Sequence, residues 1–260
     1  MSDKTAVTII VPCFNEEPVL PLLAQAMERT ETVLRSRYDL HWVFVDDGST
    51  DRTWGVFQRL FSSRNNCSLL RHPRNLGIAA AIMTGIDHAQ SDIVCSMDSD
   101  CTYDPAEFKA MIPLLAEGVD VVTASPYHPD GIVTDVPHWR LVLSRTASWL
   151  YGWVLPQKIS TYTSCFRVYR RSAITGLELG QKGFAGITEI LGRLMLRGSK
   201  VVEYPIMLKS RRLGESKCRV LKAIRGHLRL VSQLVMARNQ WQLETRSTRQ
   251  RRTLPGASHH

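Results

Sequence analysis

The chain has 260 residues, 44% of them apolar, enough for one full α/β core, and it carries a formal net charge of +9. No apolar run reaches the ~18 residues of a membrane-spanning helix, and the six cysteines include no Cys-x-x-Cys pair, which argues against a structural zinc site and a disulfide framework. The charge is uneven: residues 209–252 hold thirteen Lys or Arg against two Glu, a net +11 that leaves the remainder near −2, so an anionic partner is met at the C-terminal end.

Val7-Thr8-Ile9-Ile10-Val11-Pro12 is a β-rich apolar run closed by proline and predicts a central first strand. Phe14-Asn15-Glu16-Glu17-Pro18 follows, then an amphipathic helix to about Arg35, with Leu20, Leu23, Met27 and Leu34 at loosely helical spacing. Residues 40–45 predict a second strand that ends in Asp46-Asp47-Gly48-Ser49-Thr50-Asp51. Gly48 suits a turn with positive φ, and Ser49, Thr50 or Asp51 can cap a helix starting near Arg52. Ser68-Leu69-Leu70-Arg71 is a short third strand; Arg74-Asn75-Leu76-Gly77 then leads into a helix of small residues, Ala79-Ala80-Ala81 with Gly85 and Ala89, able to approach a sheet closely. Residues 93–97 predict a fourth strand, followed by Asp98-Ser99-Asp100, and residues 119–124 a fifth. Strands alternating with helices predict a mostly parallel sheet covered on both faces. Cys13 and Cys95 fall in apolar strands and are expected to be small core residues.

Past Ser125 the texture changes. Pro126, Pro129, Gly131 and Pro137 mark a loop of about a dozen residues, long enough to suspect function. A Trp- and Leu-rich helix is expected from His138 to Leu155, a strand at Phe166-Arg167-Val168-Tyr169, a helix over 187–196 and a strand over 201–206. Residues 220, 221, 224, 228, 231 and 235 are apolar at helical spacing, with Lys222, Arg225 and Arg229 largely off that stripe. Residues 239–260 are polar, basic and expected to be disordered; the closing His259-His260 reads as a tag remnant.

Each βα unit places polar groups at one sheet edge: Asn15 and Glu16, Asp46 and Asp47, Asn75 and Gly77, Asp98 and Asp100. Open α/β sheets bind ligands at that edge. One helix cap needs one acceptor, so a cap does not account for Asp98 and Asp100 together. Two carboxylates without a basic neighbour in sequence suit Mg2+ or Mn2+ shared with substrate phosphates. The dinucleotide fingerprint, the P-loop and the Gly-x-Ser-x-Gly elbow are all missing from the sequence. What remains is a nucleotide site that uses acidic groups for base and ribose and a metal for the diphosphate.

Ile9-Ile10-Val11-Pro12 with Asn15-Glu16, the Val45–Asp51 stretch, Asn75-Leu76-Gly77 and Asp98-Ser99-Asp100 resemble the family 2 glycosyltransferases of the GT-A fold. Arg140-Leu141-Val142-Leu143-Ser144, Glu203-Tyr204-Pro205-Ile206 and Arg211-Arg212-Leu213-Gly214-Glu215-Ser216-Lys217 resemble the dolichol-phosphate mannosyltransferase and polyprenyl-phosphate glycosyltransferase branch. The resemblance implies a Rossmann-like, mostly parallel sheet flanked by helices. It implies a transferase domain over 1–210, with a nucleotide half (about 5–125) and an acceptor half (about 126–210). A phosphate-clamp loop and a basic amphipathic helix would extend over 211–238. Pro12, Phe14, Glu16 and Asp47, with Asp46 beside them, would line the nucleoside. Asp98 and Asp100, with Ser99 alongside, would hold Mg2+ or Mn2+ on the donor diphosphate. Arg140 and Ser144 would face phosphates near the acceptor, and Arg211 and Lys217 would close over the phosphates.

The implied reaction is inverting transfer of a hexose from a GDP- or UDP-sugar to a polyprenyl or dolichyl phosphate. Three positions depart from the branch: Thr102 where Gln is common, expected to act through water; Pro126 where an Arg is common; and Ala185 where some members have Lys. His128, His138 and Arg145 stand near the lost cations. The alternative is a saccharide or other hydroxyl acceptor, which needs a carboxylate base, with Glu189 as the candidate; a non-enzymatic basic binding module is a third reading. The N-terminal Met1-Ser2-Asp3-Lys4 lacks the apolar stretch of a signal peptide, so the expected place is the cytoplasm, peripheral on an anionic membrane face, with no nucleic-acid partner.

Overall fold

The computed structural model describes residues 4–134, 136–181, 183–208 and 224–238. Its main sheet has seven strands: β1 (Thr5–Cys13), β2 (Tyr38–Asp46), β3 (Cys67–Arg71), β4 (Ile93–Ser96), β5 (Val121–Ser125), β7 (Arg167–Arg170) and β8 (Val201–Pro205). Their order is β3-β2-β1-β4-β7-β5-β8. All neighbours are parallel except β7, which runs antiparallel to both β4 and β5. A second sheet pairs β6 (Ile132–Val133) with β9 (Met207–Leu208) in parallel.

Side chains alternate across the sheet and both faces are dry. Ile10, Val43, Val45, Val94 and Val121 enter one core. Val7, Ile9, Val11, Trp42, Phe44, Cys95 and Val122 enter the other. Cys13 and Cys95 are core residues, as expected. The first helix, α1 (Leu20–Leu34), buries Leu20, Leu23, Met27 and Leu34, the expected stripe. α2 (Thr53–Phe61) stacks Phe61 on Phe44, with ring centroids 4.3 Å apart. α3 (Ile78–His88) lies hard on β1: a Cβ on Gly85 would meet Ile10 Cγ2 at 2.4 Å, so the small-residue helix does approach the sheet closely.

Between β4 and β5 run a short α4 (Phe108–Met111) and two 3-10 turns. Strand β5 begins two residues later than expected, because Gly118 takes φ 75° and Val119 N–H donates to Ala116 O in the turn before it. Beyond β6 come α5 (His138–Val154), a one-turn α6 (Arg171–Ile174) and α7 (Phe184–Leu196). The expected loop over 126–137 therefore contains a strand.

The last described helix, α8 (residues 224–238), keeps part of the expected stripe and corrects the rest. Val231 and Val235 pack against the core as expected, but the core face centres on Leu230 and Leu234, with His227 bonded to Tyr151, whereas Ile224 and Leu228 are exposed. Close approach to α7 sets this rotation. A Cβ on Gly226 would meet Ala185 Cβ at 3.3 Å, and one on Gly192 would meet Leu234 Cδ1 at 3.1 Å. Ala185 is thus a packing residue under α8. The clamp residues Arg211 and Lys217, and Lys222, lie outside the described residues.

Candidate functional site at the carboxyl edge of the sheet

The loops after β1, β2, β3 and β4 meet at the carboxyl edge of the parallel strands. The first two are stitched together by Asn15, which holds φ 54°. Its Oδ1 accepts from Thr50 N at 2.8 Å, its own N–H donates to Ser49 Oγ at 2.8 Å, and Glu16 N–H donates to Thr53 Oγ1 at 2.8 Å. Asp51 Oδ1 accepts from Thr53 N at 2.9 Å and fixes the start of α2. Gly48, at φ 70°, admits no side chain, since a Cβ would stand 2.3 Å from the Arg74 carbonyl carbon.

Asp46 is fully buried, paired with Arg71 Nε at 3.0 Å, and accepts from Ser49 N at 2.9 Å. The Arg71 guanidinium also stacks over Trp54, 5.3 Å from the ring centre. Asp47 is 2% exposed. Its Oδ1 bonds His72 Nδ1 at 2.7 Å and accepts from Leu76 N at 2.8 Å; its Oδ2 accepts from Gly77 N at 2.8 Å. His72 Nε2 continues the chain to Thr84 Oγ1 at 3.0 Å. Asp47 therefore anchors the loop entering α3. His72 and Arg71 were invisible as site residues in sequence because each is a lone polar residue near a strand end.

Asp98 and Asp100 follow β4, both half-buried, with Ser99 buried between them. Thr102 donates to Asp100 Oδ1 from its N–H at 3.0 Å and from its hydroxyl at 2.6 Å. It orients that carboxylate directly. Cys101 takes φ 51°, a strained setting for a non-glycine residue that turns the chain sharply after the pair.

The electrostatics tie these groups together. Burial, then Asp100, pushes the Cys101 thiol up to about 12. Burial, then Asp98 and Tyr127, raises the Tyr103 phenol. Burial, then Glu16, raises the Cys13 thiol; the Ser99 side chain opposes this and Asp46 adds to it, so Cys13 stands near groups of the β1, β2 and β4 loops. Pro12 is buried in β1 opposite Val45, and Phe14 is half-buried beyond it.

Two hard carboxylates suit a divalent cation that takes its other ligands from water and phosphate. Among the described residues no cluster of three or more His, Cys, Asp or Glu forms a closed metal site. The donor set therefore fits a substrate-shared Mg2+ or Mn2+ rather than a caged structural ion.

On the other side of the edge, Arg140 lies in the first turn of α5 and Ser144 Oγ bonds Thr163 Oγ1 at 3.0 Å. Glu189 does not have the setting of a general base. It is fully buried, its carboxylate accepts from Gly180 N at 2.9 Å and Gln181 N at 2.6 Å, and it pairs with Arg193 Nε at 2.7 Å. Glu203, in the quoted Glu-Tyr-Pro-Ile stretch, accepts from Ser160 N at 2.8 Å and Thr161 N at 3.2 Å.

A mostly parallel sheet with acidic loops and a carboxylate pair gathered at one edge defines the GT-A glycosyltransferase architecture. Glucosyl-3-phosphoglycerate synthase from Mycobacterium tuberculosis shares that fold. Its complex with Mn2+, UDP-glucose and phosphoglyceric acid superposes with a TM-score of 0.65 at 18% identity over 92% of this chain and 81% of that one. The model of glycosyl transferase family 2 matches residues 8–177, and the chain belongs to that family. It is 32% identical to a dolichol-phosphate mannosyltransferase of Pyrococcus furiosus over 88% of its own length and 63% of that protein's. It is 29% identical to a polyprenol monophosphomannose synthase of Mycolicibacterium smegmatis, over 80% of this chain and 79% of that one. An undecaprenyl-phosphate 4-deoxy-4-formamido-L-arabinose transferase of Pectobacterium carotovorum is 29% identical over 86% of this chain and 66% of its own length. Among the described residues no helix is long and apolar enough to cross a membrane.

Proposed function

We propose that the chain transfers a hexose from a nucleoside-diphosphate sugar, GDP-mannose or a UDP-sugar, to a polyprenyl phosphate at a membrane face. The observation that carries this reading is the carboxylate pair after β4, set on one edge with the β1 and β2 loops, in a chain whose relatives are named for polyprenyl-phosphate sugar transfer. Pro12, Phe14, Glu16 and Asp47 line the nucleoside, with Asp46 beside them, and Asp47 also holds the loop entering α3. Asp98 and Asp100 would hold Mg2+ or Mn2+, which would supply Lewis-acid neutralisation of the diphosphate leaving group. Arg140 and Ser144 face phosphate on the acceptor side, joined by Arg211 and Lys217.

A phosphate monoester is already an anion at neutral pH, so its oxygen attacks the anomeric carbon without a protein base. This agrees with the buried, ion-paired state of Glu189, which disfavours the hydroxyl-acceptor alternative. Membrane contact is supported by α5, whose Trp139, Val142, Trp149 and Trp153 recur along one exposed face, and by exposed Arg225 and Arg229 on α8.

Incubation with labelled GDP-mannose or UDP-glucose, Mn2+ and a polyprenyl phosphate tests the reading. Label extractable into organic solvent, abolished by EDTA, is the expected result. An aqueous labelled product, or undiminished transfer in excess EDTA, would refute it.

A further inference from the structure

Asp47 is held by more than its own loop. Its N–H donates to Cys13 O at 2.8 Å and His72 N–H donates to Asp46 O at 2.8 Å, so both main chains are fixed at the carboxyl ends of β1 and β2. Behind them the side chains form a strut: Asp47 Oδ1 to His72 Nδ1 at 2.7 Å, then His72 Nε2 to Thr84 Oγ1 at 3.0 Å. The far end of the strut does not give, because Gly85, next to Thr84, already lies against Ile10 of β1. A carboxylate only accepts, so Nδ1 carries the proton, and in the neutral ring Nε2 accepts from the Thr84 hydroxyl. The His72 side chain is buried and its ring is oriented at both nitrogens.

The strut decides what Asp47 has left to offer. A carboxylate has about four lone-pair sites. Those on Oδ1 are filled by His72 Nδ1–H and Leu76 N–H, and Gly77 N–H takes one on Oδ2. A single acceptor position, on Oδ2, remains. We propose that His72 is a positioning residue that restricts Asp47 to this one acceptor site for the nucleoside, and that the restriction selects uracil over guanine. Uracil presents a single edge N–H, its imide N3–H. Guanine presents N1–H and the N2 amino group side by side, a pair that a carboxylate meets with both oxygens. With Oδ1 filled, the guanine amino group loses its partner, and a donor buried without a partner is how a polar site rejects the wrong ligand. The assignment rests on the nucleotide-sugar reading above and narrows the two donors it leaves open to the UDP-sugar.

Equilibrium binding of UDP and of GDP, each with Mn2+, tests the assignment without turnover. The parent is expected to bind UDP at least about tenfold more tightly than GDP. His72→Phe releases a lone pair on Oδ1, so it should weaken UDP and shrink the UDP-to-GDP ratio to about threefold or less. His72→Asn, whose amide N–H can donate to Oδ1 from the place of Nδ1, should restore most of the ratio. Thr84→Val removes only the outer contact and should lower the ratio by less than His72→Phe does. It keeps the test open should His72→Phe not fold, and the melting temperature reports folding of each variant. GDP bound as tightly as UDP by the parent overturns the assignment and leaves the nucleotide-sugar reading standing. If both nucleotides weaken in proportion in His72→Phe and Thr84→Val, the strut is a structural brace and His72 has no part in selectivity. If the parent binds neither nucleotide, the nucleotide-sugar reading falls and this inference falls with it.

Discussion

The loops after β1 and β2 and the outer face of α5 border the same sheet edge, yet they are built on opposite principles. In the loops the two carboxylates that end β2 are buried and held in place: Asp46 by Arg71 and Ser49, Asp47 by His72, Leu76 and Gly77. On α5, large apolar side chains stand in solvent and Arg145 has no carboxylate partner among the described residues. Such hydrogen-bonded loops form a preorganised edge, suited to a ligand of fixed shape. A surface with Trp149 at 61% and Trp153 at 71% exposure awaits burial against something apolar.

The contrast can be broken at several strengths. Asp100→Asn keeps the shape and removes charge, so kcat/KM should fall by roughly 10²–10³-fold with an unchanged melting temperature. Near-normal turnover would remove Asp100 from the chemistry. Asp47→Asn should instead cost stability, about 2–4 kcal/mol by urea unfolding, because a buried acceptor of several hydrogen bonds loses its charge and gains competing donors. A shift in midpoint below about 0.5 kcal/mol would show that the loop brace is dispensable.

Arg225→Gln with Arg229→Gln should leave unfolding unchanged and weaken sedimentation with anionic vesicles by about 2 kcal/mol, or about thirtyfold, at low salt. Binding equal to the parent's would make those charges a solvated face. The smallest effect is expected at His227. Burial lowers its pKa below the ordinary 6.5 while Tyr151 Oη lies 2.8 Å from its Nδ1. The fold favours the neutral ring, so its contribution is present above the unfolded pKa and fades as pH falls through the lower folded value. The melting temperature should therefore decline less between about pH 7 and pH 5 in His227→Gln than in the parent; equal slopes would clear His227 of that role.

The loops after the parallel strands were legible because their information is local. Gly48, Asn15 and the Asp-x-Asp each act within a few residues of a strand end, and apolar runs flanked by turn residues mark those ends. What stayed hidden depends on pairings distant in sequence. β7 enters antiparallel between β4 and β5, and no feature of Phe166-Arg167-Val168-Tyr169 announces its direction. Glu189 looked like an available carboxylate because its partners Gly180 and Gln181 donate through backbone N–H groups that composition does not reveal. The α8 stripe misled for a related reason. Periodicity shows that a helix has an apolar face, but Gly226 over Ala185 and Gly192 under Leu234 decide which side turns inward.

The two-rung pairing of β6 with β9 bears on how this family can diversify. Ile132 N–H donates to Ile206 O at 3.1 Å and Thr134 N–H to Leu208 O at 3.0 Å, while the Ile132 and Met207 side chains face solvent. The main chain carries most of the junction, so exposed side chains of the segment after β5 are free to drift, but Gly131 is not, because a Cβ there would stand 2.5 Å from Pro126 O. Nor is the length of the segment: one inserted or deleted residue slips the ladder and turns each following side chain to the other face. Chimeras that exchange residues 126–137 between relatives should therefore tolerate varied sequences of equal length that keep glycine at 131. They should fail when the count changes, unless residues 206–208 are exchanged with them as one cassette.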